Sequence, residues 1–277
     1  MPQPIGAYSP EAVIEAIEDN LVGASVSLGR TEDGVVFRGA DVTWVYTGYR
    51  TLSRVLRARF TPEQAEDRVA QICDCFREWD APVSWVVGPT SWPPKLRELL
   101  RDSGFDAGEV WTGLARDVPA EDATTVPLPP TFDIGLATSQ ADLTAWTEVD
   151  GDPADGDPTR GREGAGPVLF SPDNAGGAPR CRYYLATLGG RPVARGMAYT
   201  SRDVVGLHWF AVARDQRGRG FELAVARHAL ADARHAGAKL AVIHARGDLQ
   251  RLGQQLGFRP YCQFSVHAWP PVTLNHA

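Results

Sequence analysis

The second half of the chain switches between two hydrophobic periods, and each switch marks an element. Residues 204–212 are an almost unbroken apolar run, Val-Val-Gly-Leu-His-Trp-Phe-Ala-Val, which predicts a buried strand. The period then becomes helical: Leu223, Ala226, Leu230 and Ala233 share one face until Gly237 stops them. Leu240–His244 is again a short strand. Leu249, Leu252 and Leu256 line a second helix that ends at Gly257-Phe258, and Gln263–Trp269 predicts a closing strand.

The first half runs through the same series. Thr61-Pro62-Glu63-Gln64 predicts a helix opened by a capping box, with Val69, Ile72, Cys73 and Phe76 on its inner face. A strand at Val83–Val87, a helix at Pro94–Ser103, a stop at Gly104-Phe105 and a strand through Val110–Ala115 complete it. Helix, strand, helix, Gly-Phe and strand therefore occur twice. Between the copies, Asp117–Thr131 carries Pro119, Pro127, Pro129 and Pro130 and reads as a linker. The expected domains are residues 1–118, a linker at 119–130, and residues 131–277.

The junction after the first strand of the second copy carries the chemistry. Arg217-Gly218-Arg219-Gly220 stands between the apolar strand and the helix, where backbone N–H groups and partial positive charge gather. Glycines there let a backbone approach a phosphate or diphosphate without a Cβ in the way. No Gly-Lys-Ser/Thr follows, which excludes a Walker loop, and the glycines lack the G-x-G-x-x-G spacing of dinucleotide folds. The first copy has Phe60-Thr61-Pro62-Glu63 at this place. Without a glycine pair, and with a carboxylate that repels phosphate, it is not expected to hold such a group.

Strand, Arg-Gly-Arg-Gly turn, helix and Leu256-Gly257-Phe258 before a last strand together resemble the Gcn5-related N-acetyltransferase (GNAT) superfamily over roughly residues 131–270. With the repeated first half, and with Val87-Gly88-Pro89, Pro93-Pro94 and the Trp269 ending, the chain resembles tandem GNAT proteins whose one half is degenerate. The resemblance implies an α/β (α+β) fold of two GNAT-like domains in tandem, each a mixed, mostly antiparallel sheet flanked by helices. It implies acetyl-CoA, or another acyl-CoA, as cofactor. The diphosphate would lie on Arg217, Gly218, Arg219, Gly220, Phe221 and Glu222, and the pantetheine arm along Ala211, Val212 and Ala213. The activity implied is acyl transfer from CoA to a primary amine of a small molecule. The alternative is a GNAT-like protein that has lost or changed acetyl transfer.

Attack of an amine on a thioester calls for a proton acceptor. His208, on the strand leading into the turn, is the first candidate, and His244, at the end of the next strand, is the second. Glu148 and Asp150 are weaker ones. Each imidazole also has a plainer reading as a hydrogen-bonded core residue. His228 and His235 fall on the polar side of a helix, and His267 sits in the last strand. The acidic run Asp150–Asp157 resembles part of a calcium loop but lacks its ligand spacing and terminal Glu, so no metal site is expected. Two positions depart from the family pattern. Glu222 stands where a small residue is usual, and Gly253 where a Tyr near the CoA sulfur is usual.

Bulk properties change the picture little. A net charge of −6 over 277 residues argues against broad nucleic-acid binding and suits a cationic amine. Apolar runs are too short to span a bilayer, and the N-terminus shows no secretion signal. Cys73, Cys75, Cys181 and Cys262 have neither zinc nor disulfide spacing. A reduced, cytoplasmic protein, monomeric or a homodimer, is expected.

Overall fold

The computed structural model describes residues 5–30, 33–48, 53–106, 108–118, 127–149 and 180–270. Elements follow in the order α1 (Pro10–Leu28), β1 (Val35–Arg38), β2 (Thr43–Tyr46), β3 (Arg54–Leu56), α2 (Ala65–Glu78), β4 (Val83–Val87), α3 (Leu96–Asp102) and β5 (Glu109–Asp117). Then come β6 (Phe132–Leu136), α4 (Gln140–Glu148), β7 (Cys181–Leu188), β8 (Arg191–Ser201), β9 (Val204–Val212) and a 3-10 turn at Arg214–Gln216. The last are α5 (Phe221–His235), β10 (Leu240–Ala245), α6 (Gly247–Gln255) and β11 (Arg259–Trp269).

Compact packing divides these residues into two units that do not follow chain order. One comprises Met1–Ala24 with Thr112–Cys262, the other Ser25–Trp111 with Gln263–Ala277. The expected linker at 119–130 is a boundary along the chain, whereas this grouping follows packing and sets the first 24 residues with the later strands and residues from 263 onward with the earlier ones. Linker composition marks where a chain turns outward, whereas compactness is set by which strand edges and apolar faces each segment covers.

In the larger unit β5, β10, β9, β8, β7 and β6 are neighbours in that order, with only β10 and β9 parallel. In the smaller, β1, β2, β3, β4 and residues 265–269 of β11 are neighbours, with only β3 and β4 parallel. Each sheet is thus mixed and mostly antiparallel. Each parallel pair is joined by one crossover helix, α5 in the first case and α2 in the second, as parallel strands require.

The Gly-Phe repeat is a repeated helix stop. Gly104 and Gly257 take φ of 89° and 77°, a left-handed conformation that suits glycine. The amides of Phe105 and Phe258 then bond back to Leu100 and Gly253 carbonyls at 3.0 and 2.9 Å. Both phenylalanines are buried in their own units. Helix α5 ends the same way, with Ala238 N–H on Ala233 O at 2.9 Å beyond Gly237. The capping box expected at Thr61 does not form. Gln64 N–H closes a turn on Thr61 O at 3.1 Å, and α2 begins only at Ala65, with no side chain capping it. Glu66 and Asp67 in its first turn supply favourable charge instead.

Apolar burial holds each unit. In the larger, α5 sets Val225, Ala226, Ala229, Leu230 and Ala233 against Leu207, Val205 and Ile243 of the sheet. The alanines let the helix axis lie close. In the smaller, Trp85, Phe60, Phe76 and Leu96 fill the core, with Trp85 edge-on to Phe60 and Phe105. Leu230→Ala, removing a side chain only 2% exposed, is expected to cost about 2–5 kcal/mol in urea unfolding. Val110→Ala, at a residue 60% exposed, should stay within about 0.5 kcal/mol.

Candidate functional site

The turn after β9 is built from glycine geometry. Arg217 is extended, Gly218 has φ 77°, and Gly220 has φ 78° and caps α5 in the left-handed region. Only glycine adopts such angles without strain. A Cβ at Gly218 would meet nothing within 4 Å, so the face of the turn is open. The α5 ladder begins with Ala224 N–H on Gly220 O at 3.0 Å, leaving the amides of its first turn aimed outward. Arg219 is held back, its guanidinium 4.8 Å above the Phe221 ring and bonded to Gln216 Oε1 at 2.6 Å. Arg191 clamps Asp215 through two bonds of 2.7 and 3.1 Å, tying the turn to β8. Those bonds, with one from Gln216, hold the Asp215 carboxyl below the usual carboxylate range.

A cleft of about 350 Å³ opens here. Arg217, Gly218, Gly220 and Glu222 line one side, and Asp248, Arg251 and Gln255 of α6 the other. Its inner end is reached by Phe210, Ala211 and Val212. Ala213 instead lines a second cavity, of about 510 Å³, with Glu148, Arg191 and Arg214. Asp150 and the acidic run through Asp157 lie outside the described residues.

What gives the cleft depth is the parting of β9 from β10. Their parallel register runs from Val204↔Leu240 to Leu207↔Ile243 and ends. Past that point β10 stays with β5 as far as Ala245↔Thr112, while β9 stays with β8. The cause is a β-bulge: Trp209 and Phe210 together oppose Gly196, between Met197↔His208 and Arg195↔Ala211. Trp209 pays with φ 53°, and Gly196 is glycine because a Cβ would lie 2.4 Å from the Phe210 ring. The partner strand is pinned as well. Wholly buried Arg195 lays its guanidinium 4.3 Å over the Trp146 ring, and Trp146 Nε1–H donates to Gly196 O at 3.1 Å.

His208 and His244 stand at the point of divergence, one on each strand. Their rings stack at 5.8 Å and 16°, and both are buried, at 9% and 8% exposure. His208 Nε2 lies 3.1 Å from Asn20 Oδ1, and His244 Nε2 lies 2.9 Å from Ile17 O. The structure thus brings the two candidates together and adds α1, whose contribution the sequence reading missed. Val13, Ile17, Leu21 and Ala24 at helical spacing were its signal, but nothing marked Asn20 as more than a polar interruption.

The two departures from the family pattern have different geometries. Glu222 lies in the first turn of α5 with Oε1 shielded from solvent. At Gly253 a Cβ would fall 2.7 Å from Leu114 Cδ1 and 3.8 Å from Phe258 Cβ. That position points into the core, off the Asp248–Arg251–Gln255 stripe that faces the cleft.

In the smaller unit the matching opening is closed. The parallel register of β3 and β4 ends at Val55↔Trp85, and Arg57 takes φ 52°. The chain after β4 then returns: Trp92 N–H bonds Ala58 O at 2.9 Å, and Phe60 N–H bonds Trp92 O at 3.0 Å. Arg59 fastens this return to Thr90 by bonds of 2.7 and 3.2 Å. Buried Phe60 stands where the larger unit begins its open turn.

Among the described residues no group of three or more His, Cys, Asp or Glu could hold a metal ion, and no helix is long and apolar enough to cross a membrane. Residues 150–258 match the model of the acetyltransferase (GNAT) family. No curated protein matches the sequence. Among solved structures, a GCN5-related N-acetyltransferase from Kribbella flavida is similar at TM-score 0.66 and 16% identity, over 92% of this chain and 96% of that one. A tandem GNAT protein from the clavulanic acid biosynthesis pathway has TM-score 0.58 and 14% identity, over 96% of both chains. A GCN5-related N-acetyltransferase from Sphaerobacter thermophilus has TM-score 0.53 and 15% identity, over 95% and 93%. The chain therefore has a GNAT fold, and the stretch 150–258 within it is similar to the acetyltransferase (GNAT) family.

Proposed function

We propose that the larger unit transfers an acetyl or other short acyl group from CoA to a primary amine of a small molecule. One observation carries the reading: β9 parts from β10 just before the open glycine turn, and its last residues, Phe210–Val212, line the same cleft as that turn at the start of α5. A linear ligand with a diphosphate at one end and an extended amide-bearing arm fits that shape. First-turn amides of α5 and the Arg217 guanidinium hold the diphosphate. Backbone groups of Trp209–Val212 that face the gap left by β10 pair with the arm. Bound acyl-CoA supplies an activated thioester. Of the amides near Ala211 and Val212, that of Val212 faces away from β8, as the Ala213 N–H bond to Val193 O shows, and it donates to the thioester carbonyl oxygen. His208, with His244 stacked beside it, takes the proton that the attacking amine sheds.

Gly253 bears on the departing thiolate. Because its position is packed against Leu114, the tyrosine of the family pattern has no counterpart there. A thiolate is a good leaving group by itself, and solvent is sufficient to protonate it.

Calorimetry with acetyl-CoA, followed by a thiol-release assay over a panel of amines, tests the reading. Tight binding with no thiol release on any amine overturns transfer and leaves a CoA-binding protein. Arg217→Ala is expected to weaken acetyl-CoA binding about tenfold to hundredfold, the worth of a charge-assisted bond. Gly218→Glu should abolish it while the far-ultraviolet circular dichroism stays native.

His208→Gln should lower kcat/KM by about a hundredfold or more and flatten the acid limb of its pH profile. The sign follows from the role: protonation at low pH fills the nitrogen that must accept. Gly253→Tyr should not speed turnover. Overpacking against Leu114 is expected to cost about 1–3 kcal/mol of stability in denaturant unfolding.

A further inference from the structure

A second cavity, of about 510 Å³, shares no lining residue with the cleft at the glycine turn. Four charged side chains face it: Glu148, Arg191, Arg214 and Asp215. Two of them satisfy each other. Arg191 holds Asp215 by bonds of 2.7 and 3.1 Å, and Gln216 Nε2–H donates a third to Asp215 Oδ2 at 3.0 Å. The other two do not. Among the described residues neither Glu148 nor Arg214 has a hydrogen-bond or ion-pair partner for its charged group, and they do not bridge to each other. The remainder of the lining is apolar, from buried Val149 and Ala213 and half-buried Pro192. One carboxylate and one guanidinium thus share an otherwise apolar cavity.

Glu148 stands where a helix least favours an anion. It is the last residue of α4, which has no basic residue in its last turn, and Val149 beyond it is already extended at φ −68° and ψ 109°. The last carbonyls of a helix gather negative partial charge, and a carboxylate beside them adds to it. What this end of the cavity lacks is a cation, since Arg191 is occupied by Asp215. A primary ammonium answers the need, because its three donors reach the carboxylate and helix-end carbonyls together. Arg214, exposed on the 3-10 turn, presents a planar fork that matches a carboxylate. The two charges have opposite sign, so neither a simple amine nor a simple acid satisfies both. We propose that this cavity binds a small amino acid in its zwitterionic form. The ammonium lies on Glu148 and the end of α4, the carboxylate on Arg214, and the aliphatic carbons against Val149, Pro192 and Ala213. The cavity volume falls within the range of small-molecule sites. Binding here calls for neither CoA nor turnover, so it stands apart from the acyl-transfer reading.

Calorimetry on the full chain without acetyl-CoA is the test. L-Leucine and ε-aminocaproate are the probes, carrying the two charges close together and far apart. At least one is expected to bind, and its analogues lacking either charge should bind about tenfold more weakly. These analogues are leucine methyl ester and isocaproate for the first probe, ε-aminocaproamide and caproate for the second. Glu148→Gln should erase the advantage over the acid without an ammonium, and Arg214→Gln the advantage over the analogue without a carboxylate. Both positions are exposed, so both variants are expected to fold, which native far-ultraviolet circular dichroism checks. No binding of either amino acid to the native protein overturns the proposal. So does undiminished binding in either variant, or a loss of acetyl-CoA affinity that assigns these residues to the CoA site instead. Failure of the native protein to bind acetyl-CoA, by contrast, overturns the acyl-transfer reading and leaves this one standing.

Discussion

A parallel strand pair that stops bonding halfway is the constraint on which the larger unit depends. Past Leu207 and Ile243 the two strands keep only their outer neighbours. Polar backbone groups turned into the gap need water or a ligand, because leaving them buried and unpaired is costly. The bulge at Trp209 and Phe210 enforces the parting, and Gly196 and the Arg195–Trp146 stack keep the partner strand from relaxing to close it. Bulges of this kind re-aim strands next to functional sites in many folds. Here the bulge converts a sheet edge into one wall of a slot, and α5 puts its positive end at the mouth.

Much of this was legible in sequence because it depends on local signals. Gly218 and Gly220 are needed wherever a backbone turns through positive φ, and they follow an apolar run that can only be a buried strand. The two Gly-Phe pairs announced helix stops, and both formed. The repeat was visible for the same reason, since period, stop and strand recur in order. What was hidden depended on pairing across the chain. No local pattern says that Trp209 and Phe210 oppose a single residue nearly fifteen positions earlier, or that residues 265–269 pair with β4. Asn20 was invisible because a polar residue in an apolar helix face is ordinarily a surface position. Its meaning lies in a glycine on β9 that clears space for it. Thr61 misled for a related reason: a capping sequence states a preference, and the turn at 61–64 supplied the backbone bonds by another route.

The histidines illustrate how burial and chemistry combine. Sequence placed His208 within the strand leading into the turn and His244 at the end of the next, where either a core role or a proton-transfer role was open. The structure makes them a stacked pair with fixed Nε2 partners. A fixed partner is what a core histidine needs, and it is also what an oriented base needs.

The smaller unit keeps the frame of the larger one, a parallel pair joined by a helix with an unusual residue, Arg57, after the first strand. Its gap is filled by main chain, Trp92 bonding Ala58 and Phe60 on either side of Arg59. Main-chain bonds are indifferent to side-chain identity. Most exchanges of single side chains along this stretch would therefore leave it closed, whereas removing part of the 88–92 return would open it. Closure of this half is thus a matter of backbone pairing and chain length rather than of one missing glycine.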